Sequence, residues 1–172
     1  MTVPSDAHLL AFGRIMHAYA AVESGIKIVL SGILEIDLAH ALIAFEPYGA
    51  GDVRNVAKSL AKERLKPPMA EQFISIVGEW SSHNFLRNTI AHSRWTDGDR
   101  PGSIKPRSVK IRDGRAQFFG DDESERSYTA EELNAVLVQI DSTNERLKRF
   151  LKSSGLEQII ASQMDDDRSD KP

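Results

Sequence analysis

The stretch Arg87-Asn88-Thr89-Ile90-Ala91-His92 puts a guanidinium, an amide and an imidazole within six positions. The guanidinium stays protonated and offers a planar fork that fits a phosphate. Imidazole, with an unperturbed pKa of about 6.5, can give or take a proton near neutral pH. The Asn88 amide can orient that imidazole or hold a phosphate oxygen. Metal-free cleavage of RNA needs these parts: a base for the ribose 2′-OH, an acid for the leaving 5′-oxygen, and positive charge on the phosphorane. One imidazole is short of an acid plus a base. His83, one turn before Arg87, is the other histidine nearby, and a single histidine at a helix surface is usually incidental.

A helix must position these groups. The pattern predicts a third long helix over 68–91, with Phe73, Val77 and Trp80 on one face. Asn84, Arg87 and Asn88 fall within about 60° of that face, so the apolar stripe turns polar without changing sides. Polar groups on a packing face must be paired, because unpaired burial costs roughly 1–3 kcal/mol each. On an ideal helix Arg87 and His92 lie about 140° apart. They converge only if the helix frays between them, and a loop at Ser93-Arg94-Trp95 would permit that.

The chain has 172 residues and a net charge of −3, with 41% hydrophobic and 27% charged residues. That fits one globular domain over 1–160, and no global field favours nucleic acid. A disordered acidic tail is expected over 161–172. With no cysteine there is no disulfide and no thiolate metal site, which fits a reducing, cytoplasmic setting. No signal peptide is apparent. Lys27, Glu35, Asp37 and His40 interrupt the most apolar run, which argues against a membrane span.

In chain order, Ser5 or Asp6 caps a first helix to about Leu34. Its seam is Phe12, Ile15, Tyr19, Val22, Ile26, Val29 and Ile33. A line of small residues, Ala18, Ala21, Gly25 and Gly32, serves packing within the chain or, less favoured, a contact between copies. A short helix over 37–45 follows, then one from an Asp52 cap to about Leu65, which Pro67-Pro68 ends. Asp113-Gly114 between Val109-Lys110-Ile111-Arg112 and Arg115-Ala116-Gln117-Phe118 predicts a hairpin with Val109, Ile111, Ala116 and Phe118 inward. Thr129-Ala130-Glu131-Glu132 is a capping box opening a last long helix. Its stripe is Leu133, Val136, Leu137, Ile140, Leu147 and Leu151, and Gly155 ends it. The fold class is mainly α: an antiparallel four- to five-helix bundle with a small β-hairpin inserted before the last long helix.

With thirteen arginines and five histidines, a bare Arg-x4-His arises readily by chance. Context gives it weight: Asn follows Arg, Trp95 stands three after His92, and the pair ends a long amphipathic helix. In that setting the stretch resembles the HEPN superfamily, helical bundles whose ribonucleases carry Arg, four to six residues, then His. The phrase Arg-Asn-x-Ile-Ala-His-x-x-Trp is similar to bacterial members. The resemblance implies a metal-independent endoribonuclease with no cofactor, and Arg87, His92 and Asn88 as its catalytic residues. It also implies a homodimer whose two motifs face one another, in a toxin–antitoxin or anti-phage role with an antitoxin protein as a possible partner. The family includes inactive members, so the alternative expectation is a module binding RNA, a nucleotide or a protein.

Residues 94 to 115 hold seven cations against three carboxylates, a local excess of +4. Arg94, Lys110, Arg112 and His83 are the expected substrate contacts along an RNA backbone, and the competing reading is a solvated hairpin. Further alternatives remain at this stage. Arg87, Asn88 and His92 could form a buried hydrogen-bond network locking the helix end to the hairpin. Glu23 could pair with Arg87. Trp80 and Trp95 read as core anchors, with an exposed Trp95 able to stack on a nucleotide. Zinc on His83 and His92 would need ligands that the sequence does not offer.

Overall fold

The computed structural model describes the backbone of residues 4–112, 115–119 and 126–169 and the side chains of 4–107 and 126–162. The elements run α1 (Asp6–Leu34), α2 (Leu38–Phe45), α3 (Ala50–Arg64), α4 (Pro67–Ser82), α5 (Asn84–His92), β1 (Arg94–Asp97), β2 (Ser103–Arg112), β3 (Arg115–Phe119), β4 (Tyr128–Thr129), α6 (Ala130–Ser153) and α7 (Leu156–Ser169). The chain is mainly α, with a small antiparallel sheet.

All seven seam residues of α1 are buried. Glu35 takes φ +54 just past its end. Asp37 then caps α2, its carboxylate accepting from the N–H groups of Ala39 and His40. α3 starts three residues earlier than the sequence predicts: Gly49 is its cap, and Asp52 sits in the first turn, where a negative charge suits the helix dipole. Pro67 and Pro68 open α4, where the missing N–H costs nothing.

The largest departure is the predicted single helix over 68–91. It is two helices, broken at His83, whose φ of −86° and ψ of −4° belong to a turn. Ser81-Ser82-His83-Asn84 explains the break. Ser82 Oγ donates to the Glu79 carbonyl at 2.6 Å, so its side chain competes for helix backbone, and all four residues are weak helix formers. The premise that Asn84, Arg87 and Asn88 extend the Trp80 face therefore fails, because phase is not carried through a break.

The chain divides into two compact units. One comprises Met1–Ala18 with Asn84–Gln139, the other Tyr19–His83 with Ile140–Pro172. In the second, Tyr19 stacks on Trp80 at 5.3 Å and Phe73 on Phe150 at 5.2 Å. A Cβ on Gly25 would fall 2.7 Å from Leu147 Cδ2, and one on Gly32 3.3 Å from Ile160 and Leu156. The small residues at these two positions thus serve packing within the chain. Glu79 pairs with Arg146, which also donates to Ser75 Oγ. α7 keeps its helix through Asp165-Asp166-Asp167, where the sequence reading expected disorder over 161–172; residues 170–172 lie outside the described chain.

In the first unit, β2 pairs antiparallel with β1, β3 and β4. β1 was read from sequence as loop. Its register sets Arg94 opposite Arg107 and Trp95 opposite Pro106. The predicted hairpin is β2–β3, with Val109 opposite Phe118 and Arg112 opposite Arg115. Its Asp113-Gly114 turn and the inward faces of Val109, Ile111, Ala116 and Phe118 lie outside the described residues. The capping box forms: Glu132 N–H donates to Thr129 Oγ1 at 3.2 Å, and Thr129 N–H to Glu132 Oε2 at 2.9 Å. On the α6 stripe Leu133, Ile140 and Leu147 are buried and Val136, Leu137 and Leu151 half-buried. Among the described residues no single helix is long and apolar enough to cross a membrane; α1 and α2, bent by 119°, meet that composition only jointly.

Candidate functional site

α5 carries the candidate site. Leu86 is buried and Ile90 half-buried, which fixes the inward side of this short helix. Thr89 Oγ1 donates to the Phe85 carbonyl at 2.9 Å, and Ser93 N–H to the Thr89 carbonyl at 3.0 Å. The helix is thus intact through His92, and the fraying expected between Arg87 and His92 does not occur. Two residues later the chain enters β1. Trp95 ties that strand down, its ring 4.7 Å from Phe12 and 6.2 Å from Tyr128.

With the helix intact, the Cα directions of Arg87 and His92 stay about 140° apart. The groups are brought toward one side by Asn88. Arg87 Nη1 donates to Asn88 Oδ1 at 2.9 Å. Asn88 and His92 are i,i+4 neighbours about 40° apart on one exposed face, a spacing that puts Cβ atoms roughly 5–6 Å from each other. The guanidinium is therefore tethered to the face that bears the imidazole. Arg87 itself is half-buried, and its long stem accounts for the reach.

Several alternatives are corrected. Asn88 and His92 are exposed, so the three residues do not make a buried network. Trp95 is 9% exposed and in ring contact with Phe12 and Tyr128, so it is a core anchor and not a base-stacking surface. Trp80 is likewise core. Glu23 makes an i,i+4 ion pair with Lys27 at 3.0 Å within α1.

Comparison with family models, curated proteins and solved structures returns no match. The reading of the site therefore rests on the chain's own residues.

Of the expected substrate contacts, Arg94 is exposed at the start of β1 and directly opposite the exposed Arg107. Lys110 and Arg112 lie on β2, but their side chains are outside the described residues. Arg107 and two further cations of the basic segment are already engaged. Arg100 makes a two-pronged ion pair with Glu132 at 2.7 and 3.1 Å, and Lys105 pairs with Asp99 at 2.9 Å. His83 is the turn residue closing α4. Burial pushes its pKa below the usual histidine value, and the Glu79 carboxylate only partly opposes this. That disfavours His83 as a phosphate-binding cation at neutral pH. Among the described residues no group of three His, Cys, Asp or Glu could hold a metal ion, so the zinc alternative finds no third ligand there.

Sequence reasoning missed the Arg94–Arg107 juxtaposition and the tether at Asn88. The signal for β1 was present in Arg94-Trp95-Thr96-Asp97, where an aromatic and a β-branched residue sit between charges.

Proposed function

We propose that the chain is a HEPN-like, metal-independent endoribonuclease that cleaves RNA at a composite site across a homodimer. The observation that carries this reading is the Arg87–Asn88 hydrogen bond on the helix face that presents His92. It gathers a fixed positive charge and a proton-transfer group on one exposed surface. His92 takes the proton from the ribose 2′-OH, and the 2′-oxygen bonds to phosphorus as the P–O5′ bond breaks. The Arg87 guanidinium balances charge on the non-bridging oxygens. One imidazole cannot be base and acid in the same step, so His92 of a second copy protonates the leaving 5′-oxygen. The products are a 2′,3′-cyclic phosphate and a free 5′-hydroxyl.

Exposed Arg94 extends the positive surface beyond His92, and we assign it to a neighbouring phosphate. The bundle architecture that the HEPN resemblance implies belongs to the same proposal. So does a toxin–antitoxin or anti-phage role in the cytoplasm, with an antitoxin protein as the natural restraint on such an activity.

Mixed RNA incubated in chelator tests the reading. Wild-type protein is expected to leave cyclic-phosphate ends. His92→Ala and Arg87→Ala are each expected to lower the rate at least a hundredfold without changing helix content. Cleavage that survives both substitutions removes the proposed site. The second reading is an inactive HEPN-like module that binds RNA, a nucleotide or a protein. It is favoured by the exposure of Asn88 and His92 in one chain, because an open, wet surface binds phosphate more readily than it catalyses. It predicts binding without new RNA ends.

A further inference from the structure

Phe85 is 75% exposed, the largest exposure among the large hydrophobic side chains of the described residues. It opens the helix face that carries the candidate site. Relative to Phe85, Asn88, Thr89 and His92 all fall within about 60° around α5. His92 lies about 10 Å further along the axis. An aromatic ring in water at this place calls for an occupant.

The neighbours decide which. A second helix packing along this face would need apolar side chains at the third, fourth and seventh positions after Phe85. Those positions are Asn88, Thr89 and His92, and burying them against an apolar ridge would strand polar groups. Phe85 is a lone ring on a polar face, with the Arg87 guanidinium tethered one turn away and exposed Arg94 beyond His92. A ring for a base beside cations for the backbone is how single strands are gripped without sequence readout.

We infer that Phe85 stacks against an unpaired RNA base near the scissile phosphate and so selects single-stranded over duplex substrate. This rests on the nuclease reading for its substrate class, but not on catalysis. A base held inside a duplex has no free face, so the ring admits only unpaired segments. The distance to His92 means that the stacked base is close to the cleaved bond and not part of it.

The test is affinity for a short mixed-sequence RNA with 2′-O-methyl riboses, which cannot be cleaved, measured by fluorescence anisotropy at fixed salt. Phe85→Ala is expected to weaken binding about tenfold and to erase the preference over the same sequence as a duplex. Phe85→Trp should bind as well as wild type or better. Phe85→Leu keeps an apolar side chain without an aromatic face and should resemble Phe85→Ala. Leucine binding as wild type, or a loss that follows dissociation of a dimer in sedimentation, overturns the inference. If wild type cleaves RNA but Phe85→Ala binds unchanged, stacking is wrong and the nuclease reading stands. If binding needs Phe85 but wild type leaves RNA intact, the nuclease reading is wrong and stacking stands.

Discussion

The Arg87–Asn88 bond is a contact between neighbours in sequence, yet it alters what the motif can do. A free arginine at the surface samples many rotamers, and one held at 2.9 Å by an amide has fewer to lose when phosphate arrives. Asn88→Ala releases the guanidinium but keeps its charge. It is expected to lower single-turnover cleavage about tenfold with a smaller change in affinity. Asn88→Asp keeps the tether but places a carboxylate on the cation and beside the phosphate, so both rate and affinity should fall further. Two variants that cleave at the wild-type rate would show that the tether has no part in the reaction. Arg87 and His92 could be singled out in the sequence as candidates because only a few side chains suit the proposed chemistry. The hydrogen bond from Arg87 to Asn88 was not legible. An angle between Cα directions says nothing of where a long side chain ends, and that angle made fraying look necessary. Trp95 was ambiguous for a related reason: its spacing from His92 is visible, but its packing between Phe12 and Tyr128 depends on residues far off in sequence.

The break at His83 and the strand β1 are where elements depart from sequence pattern. Phe73, Val77 and Trp80 set a helical phase that the next residues happen to continue, so periodicity hid the interruption. The local sign lay in Ser81-Ser82-His83-Asn84. The capping box was fully legible, because its bonds join residues three apart. What it could not disclose is that Glu132 has a second partner. Its carboxylate caps the Thr129 N–H and also takes both prongs of Arg100, from the turn between β1 and β2. The Arg100 guanidinium, then the Thr129 N–H, hold the Glu132 pKa down to about 2 against an ordinary 4.5. A carboxylate with a depressed folded pKa stabilises fully above its unfolded value and loses that contribution as pH falls through the folded one. Glu132→Gln is therefore expected to lower the melting temperature by a constant amount at neutral and mildly acidic pH. The gap to wild type should narrow from about pH 4.5 downward and close near pH 2. Thermal melts across that range check it. A gap independent of pH would mean that Glu132 acts by shape and not by charge.

At the scale of the whole molecule, periodicity identifies which side of a helix is covered but not what covers it. The seam from Phe12 to Ile33 is one unbroken stripe, yet it serves two units. The mainly helical class was readable from that stripe and from the capping box; the division was not, because it depends on which distant segments close on each half. The same limit applies to self-association, which leaves no periodic trace in a single chain. The case for a second copy is chemical. His92 is the only imidazole on its face of α5, and His83 is held toward its neutral form within the turn closing α4. The proposed transesterification needs a proton taken and a proton given, so the proposal pairs a chain with one exposed imidazole at the site with a second copy. On that proposal the rate per chain is expected to depend on concentration. On dilution through the dimer dissociation constant, specific activity should fall with the fraction of paired chains seen in sedimentation, while helix content stays the same. Mixing wild type with excess His92→Ala should poison activity further, since most wild-type chains would then sit opposite a partner without an imidazole. A monomer that cleaves as fast as the dimer would require the second proton carrier to come from water or from the RNA itself, and the composite site would have to be abandoned even if His92 remained essential.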